Sequence, residues 1–225
     1  MRMDRRLFFS VIFLLMSLFI LHAKVESTPF EDTVVIPAGI PLHQNAVEKT
    51  EKDIERAFGI KISEGLAGED ASRWAPDDLA FLYGLIDSLP PYFTRMPDSI
   101  KLSKETDYSS QMMTSVTMFV GFVTNMDLTV KTDTLQRNKE TLRYIYIHEF
   151  AHCLWFDHKN IQSLWERAFW PGGKAEPPSI TDYGNSNIME DFAESIAVYV
   201  ASPTELLKKN HERYDFIERH VVSLR

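Results

Sequence analysis

The stretch Ile147-His148-Glu149-Phe150-Ala151-His152-Cys153-Leu154 decides how this chain is read. On a helix, His148 and His152 are four apart and project from one face, so their imidazoles can grip one zinc ion. Glu149 then lies beside the metal's open side, placed to take a proton from a zinc-bound water. That is the active-site geometry of a metallopeptidase. The flanking residues support a helix: Leu142, Ile145 and Leu154 give apolar positions, and Asn138 can cap the start. Between Tyr144 and Phe156 the only charge is Glu149, which predicts a mostly buried helix. Buried histidines and carboxylates need partners, because unpaired buried polar groups are costly.

Zinc needs a third protein ligand, and two candidates compete. His158 stands ten residues after His148, the offset of the third histidine in metzincins. That arrangement uses a glycine to turn the chain sharply back, and Trp155 stands at the corresponding position. On a continuing helix, at about 100° per residue, His158 faces well away from His148. The second candidate is Glu190, on a helix capped by Asn187, running from Ile188 to about Ala201 and ended by Ser202-Pro203. Phe192, Ala193, Ile196, Ala197 and Val200 define its core face, and Glu190 and Glu194 sit one turn apart near that face. With Glu190 on the metal, Glu194 can accept a hydrogen bond from the other nitrogen of a ligand histidine. Asp191 falls on a different face and is expected in solvent. Met189 reads as a helix residue.

The segment Tyr183-Gly184-x-x-Asn187-x-x-Glu190-x-Phe192-Ala193-Glu194, paired with His148-Glu149-Phe150-Ala151-His152, resembles the catalytic domain of anthrax toxin lethal factor and the bacterial Pro-Pro endopeptidases, zinc metallopeptidases of gluzincin type. An aromatic-rich final helix, here Tyr214-Asp215-Phe216-Ile217, extends the likeness. The resemblance implies His148, His152 and Glu190 as ligands of one zinc ion per chain and Glu149 as general base. It also implies Glu194 as the carboxylate supporting a ligand histidine, and Tyr183 as a hydroxyl stabilising the oxyanion. The fold it implies is α+β and zincin-like, with a small N-terminal sheet with helices and a mainly helical C-terminal half. The expected activity is metalloendopeptidase cleavage of a peptide or protein substrate. A zinc-binding protein without turnover and a zinc amidase on a non-peptide substrate are the alternatives. Cleavage preference does not transfer, because it depends on residues outside the shared motifs.

Met1 to Ala23 carries Arg2, Arg5 and Arg6, then the apolar run Leu7 to Leu21, then His22-Ala23. This reads as a signal peptide with a cleavage position after Ala23, the alternative being an uncleaved anchor, and predicts an exported bacterial protein, periplasmic or extracellular, without stable membrane association once cleaved. No cysteine stands directly after the run, so a lipoprotein anchor is not expected. Cys153 is the single cysteine and has no internal disulfide partner; it reads as a small buried residue. Removing residues 1–23 takes away three arginines and one aspartate and moves the formal charge from −8 to −10. That acidity, with no basic cluster, argues against nucleic acid as a partner.

Residues 24–225 are long enough for one domain with its own core, expected as a monomer. Val34-Val35-Ile36 and Ile60-Lys61-Ile62 are strand candidates around a helix from Asn45 to Phe58. Pro76 opens a second amphipathic helix ending at Pro90-Pro91, and Ile100-Lys101-Leu102 is a further strand candidate. Ser115 to Val123 is the best strand in the chain, either the edge of a substrate cleft or an interior core strand. Trp165 and Trp170 read as core, and the Gly/Pro-rich loop from Pro171 to Pro178 as a border of the site.

Overall fold

The computed structural model describes residues 23–24, 49–63, 73–103, 112–119 and 122–224. Among the described residues the strands are β1 (Ala23–Lys24), β2 (Lys61–Ser63), β3 (Ser99–Ser103), β4 (Met112–Phe119) and β5 (Phe122–Lys131). Helices α1 (Glu51–Phe58) and α2 (Pro76–Asp87) interleave with the early strands. After the sheet come α3 (Lys139–Asp157), α4 (Lys159–Phe169), α5 (Ile188–Ala201), α6 (Pro203–Lys209) and α7 (His211–Phe216). The architecture is α+β, with a small sheet followed by helices. The strand candidate at residues 34–36 and the expected signal segment up to His22 lie outside the described residues.

The sheet runs in the order β1-β4-β5-β3-β2, parallel between β5, β3 and β2 and antiparallel between β1, β4 and β5. The apolar run expected as one strand from Ser115 to Val123 is divided between β4 and β5, paired from Met112↔Val130 to Phe119↔Phe122. Gly121, inside the run, is the sequence signal for a break there, and counting it as strand hid the hairpin. β4 is the last long strand on its side. Among the described residues, only Ala23 and Lys24 pair beyond it, opposite Val116 and Ser115. The strand is therefore neither a bare edge nor an interior strand.

Helix α1 begins at Glu51, later than the expected start at Asn45. Thr50 caps it, with its hydroxyl accepting from the Asp53 amide while the Asp53 carboxylate accepts from the Thr50 amide. This reciprocal capping satisfies two amide donors at the turn. The expected ends of α2 and α5 agree closely with the structure, since Pro76, Asn187 and Ser202-Pro203 act locally.

The inner face of the sheet (Ile100, Leu102, Met112, Leu128, Val130) shares one core with Leu82 and Leu85 of α2, Leu142 and Ile147 of α3, and Phe192 and Ile196 of α5. Helices α3 and α5 pack along each other. Small residues at the seam, Ala151, Ala193 and Ala197, are all fully buried and allow close approach.

Asp191 overturns an expectation. It is fully buried, not solvated. Its Oδ1 accepts from Arg213 Nε at 2.9 Å, and its Oδ2 accepts from Arg213 Nη2 at 2.9 Å, Trp165 Nε1 at 3.0 Å and Trp170 Nε1 at 2.8 Å. The wheel of α5 marked the strongest apolar face correctly. It could not show that α4 and α7 close over the opposite side. Trp165 and Trp170 are core residues, as expected.

Breaking one side of such a buried pair leaves a charge without its partner. Arg213→Met is expected to lower the unfolding free energy by about 3–5 kcal/mol in urea titrations. Asp191→Leu combined with Arg213→Met should be less destabilised than either single variant. Equal, additive losses would show that the pair acts as two independent residues.

Candidate metal centre

Helix α3 carries the motif because each turn of its start is satisfied locally. Asn138 Oδ1 accepts from the Thr141 amide at 2.8 Å, and every residue from Leu142 to Trp155 is buried. His148 and His152 thus lie one turn apart on a rigid helix, with ring centroids 4.8 Å apart. Across the seam, Asn187 caps α5 by accepting from the amides of Met189 and Glu190, which fixes the first turn where Glu190 sits.

The two helices bring three potential ligand atoms together. His148 Nε2 and His152 Nε2 are 3.2 Å apart. Glu190 Oε2 lies 3.0 Å from His148 Nε2 and 3.5 Å from His152 Nε2. All three residues are buried, and together they form a group that could hold a metal ion. Glu190 is close to both rings yet neither of its oxygens makes a hydrogen bond of acceptable geometry. The carboxylate faces two imidazole nitrogens, and the buried cluster could hold a cation between the three atoms.

His148 is oriented from behind. Its Nδ1–H donates to Glu194 Oε1 at 2.8 Å, and Tyr144 Oη donates to Glu194 Oε2 at 3.0 Å. This leaves the Nε2 lone pair of His148 for a ligand. Burial pulls the His148 imidazolium down, but the carboxylates of Glu190 and Glu194 outweigh it and hold the group well above the ordinary histidine range. Burial would raise the Glu190 carboxyl; the two histidines overcome this and depress it strongly. Without a metal the centre therefore stores a proton on His148 beside an ionised Glu190. His152 differs from His148: its Nδ1 is buried without a partner.

Glu149 is 1% exposed and points to the sheet side of α3, where Thr114 Oγ1 of β4 donates to its Oε2 at 2.7 Å. Tyr183 begins a 3-10 turn, Tyr183–Asn185, and its ring lies 5.9 Å from that of His148. The turn is held to the preceding loop: Gly184 N donates to Thr181 Oγ1, and Asn185 Nδ2 to the Thr181 carbonyl. A Cβ on Gly184 would stand 2.1 Å from Ser179 Oγ, so only glycine fits this crossing. Ser179, just past the loop from Pro171 to Pro178, thus meets the turn that carries Tyr183.

His158 stays outside the group. It caps the end of α3, and its Nε2 lies 3.0 Å from Thr94 Oγ1. Trp155 continues the helix, as its lack of a glycine's freedom implied. Cys153 packs with Val116 and Met126, and burial pushes its thiol up, so it behaves as a small apolar residue. Two participants were missed from sequence, Thr114 and Tyr144. Tyr144 had a signal, being four residues before His148 on the same helix face. Comparison with family models, curated proteins and solved structures finds no match to this chain.

Binding of a cation must displace the His148 proton. Uptake of Zn2+ or Co2+ at pH 7 should release protons, seen as a dependence of the calorimetric heat on buffer ionisation enthalpy. The apparent affinity should rise with pH up to the raised His148 value. An affinity independent of pH between 6 and 8 would contradict this charge assignment.

Proposed function

We propose that this chain is an exported zinc-dependent metalloendopeptidase of gluzincin type, with a zincin-like fold, acting on peptide or protein substrates. The observation that carries the reading is the convergence of His148, His152 and Glu190, with Glu149 next in sequence and Tyr183 beside His148. Two nitrogens and one carboxylate oxygen are a donor set suited to zinc with a position left open. Ligand atoms about 2.0–2.2 Å from a tetrahedral zinc lie about 3.3–3.6 Å apart. The distances of 3.0, 3.2 and 3.5 Å between the three atoms are close to that spacing. Export is supported by the charged and apolar pattern of residues 1–23.

Bound zinc would supply a Lewis acid that polarises the scissile carbonyl and makes water a nucleophile near neutral pH. The protein's own groups do the rest. Glu149 takes the proton from the attacking water and passes it to the leaving amine. The Tyr183 hydroxyl donates to the carbonyl oxygen as negative charge builds there. Glu194, held by Tyr144, keeps His148 in the tautomer that directs Nε2 inward.

Glu149→Gln should keep its zinc and lose peptide-cleaving activity by about 100-fold or more. The measurement is a peptide-library digest with purified protein lacking residues 1–23, with and without a chelator. Cleavage that survives the chelator, or an active Glu149→Gln protein, would refute the proposal. Zinc binding with no peptide cleaved would favour the non-proteolytic alternatives.

A further inference from the structure

Inward-facing positions of β4 alternate Met112, Thr114, Val116, and all three are at most 1% exposed. Two are apolar. The third places a hydroxyl where the alternation calls for a hydrophobe, and a buried hydroxyl needs a partner. Thr114 Oγ1 is 2.7 Å from Glu149 Oε2 and 3.3 Å from the Glu149 carbonyl oxygen. That carbonyl is inside α3 and serves the helix ladder, so the short bond is the one to the carboxylate.

We propose that Thr114 is a positioning residue for Glu149: its O–H fixes one carboxylate oxygen and leaves the other, Oε1, free to accept the proton of the attacking water. This rests on Glu149 being the general base, and it adds the sheet as the element that aims it. The chemistry suits the task. A lysine or arginine at this place would pair with the carboxylate and weaken it as a base, whereas a neutral hydroxyl holds it without adding charge. Threonine is restricted at χ1 by its β-branch and is at home in a strand, so the donor is itself rigid. A side chain of three torsions is thus anchored at its tip from a different secondary-structure element.

Thr114→Val keeps the shape and removes the donor; Thr114→Ser keeps the donor. In the full chain loaded with zinc, Thr114→Val should lower kcat by about 10–100-fold on a peptide that the unmodified protein cleaves. KM, zinc content and melting temperature should change little, and Thr114→Ser should restore most of the rate. Crystal structures give a readout independent of activity. The Glu149 carboxylate should occupy one rotamer in the unmodified and Ser proteins, and several in Thr114→Val. Unchanged kcat, or a single unmoved Glu149 rotamer in Thr114→Val, would overturn the assignment. A Ser variant as slow as the Val variant would do the same. If no peptide is cleaved by the unmodified protein, the endopeptidase reading fails, and the rotamer comparison alone decides whether Thr114 positions Glu149.

Discussion

Burying a carboxylate is expensive unless something answers its charge, and α5 buries three within five residues: Glu190, Asp191 and Glu194. Asp191 is answered by the Arg213 guanidinium and two indole N–H groups. Glu194 is answered by Tyr144 and His148. Glu190 alone has no hydrogen bond, although two imidazole nitrogens stand within 3.5 Å of it. The helix is thus fully matched on its outer side and incomplete on its inner side. The inner side is where a positive ion could be held between α3 and α5.

The same constraint sets the geometry. Asp191 ties the first turn of α5 to α7 through Arg213 and to α4 through Trp165, which fixes the rotation of the helix about its axis. With that rotation fixed, Glu190 and Glu194 must face α3. Two caps, Asn138 and Asn187, set where the two helices begin and so the register at which histidines meet carboxylates. The groups that hold a proton or a ligand sit on helices and a strand, and only Tyr183 comes from a loop. That loop is tied through Thr181, Asn185 and the tight crossing at Gly184. Such support is what a site needs if its atoms must stay within a fraction of an ångström.

What was legible in sequence was what is local. Spacing of four placed His148 and His152 together, and the caps gave the starts of α3 and α5. The third-ligand choice followed from one residue, since Trp155 continues α3 and carries His158 away. Long-range matches were not legible. Asp191 was expected in solvent because a helical wheel ranks faces by apolarity, and its partners come from 21 to 26 residues away. Thr114 lies 35 residues from Glu149, and nothing in either segment announces that pairing. The hairpin of β4 and β5 had its signal in Gly121, which interrupts the run from Ser115 to Val123. The start of α1 was open to reading, as Thr50 and Asp53 have the spacing of a capping box.

The central claim is that one metal ion sits between α3 and α5 on two histidines and a glutamate. X-ray absorption at the zinc edge of the purified protein tests it most directly. The account predicts one zinc per chain, with a first shell of two imidazole nitrogens plus oxygen, and no sulfur. It also predicts that the shell is lost in Glu190→Ala. Zinc bound through the Cys153 sulfur, or a shell unchanged by removal of Glu190, would contradict it.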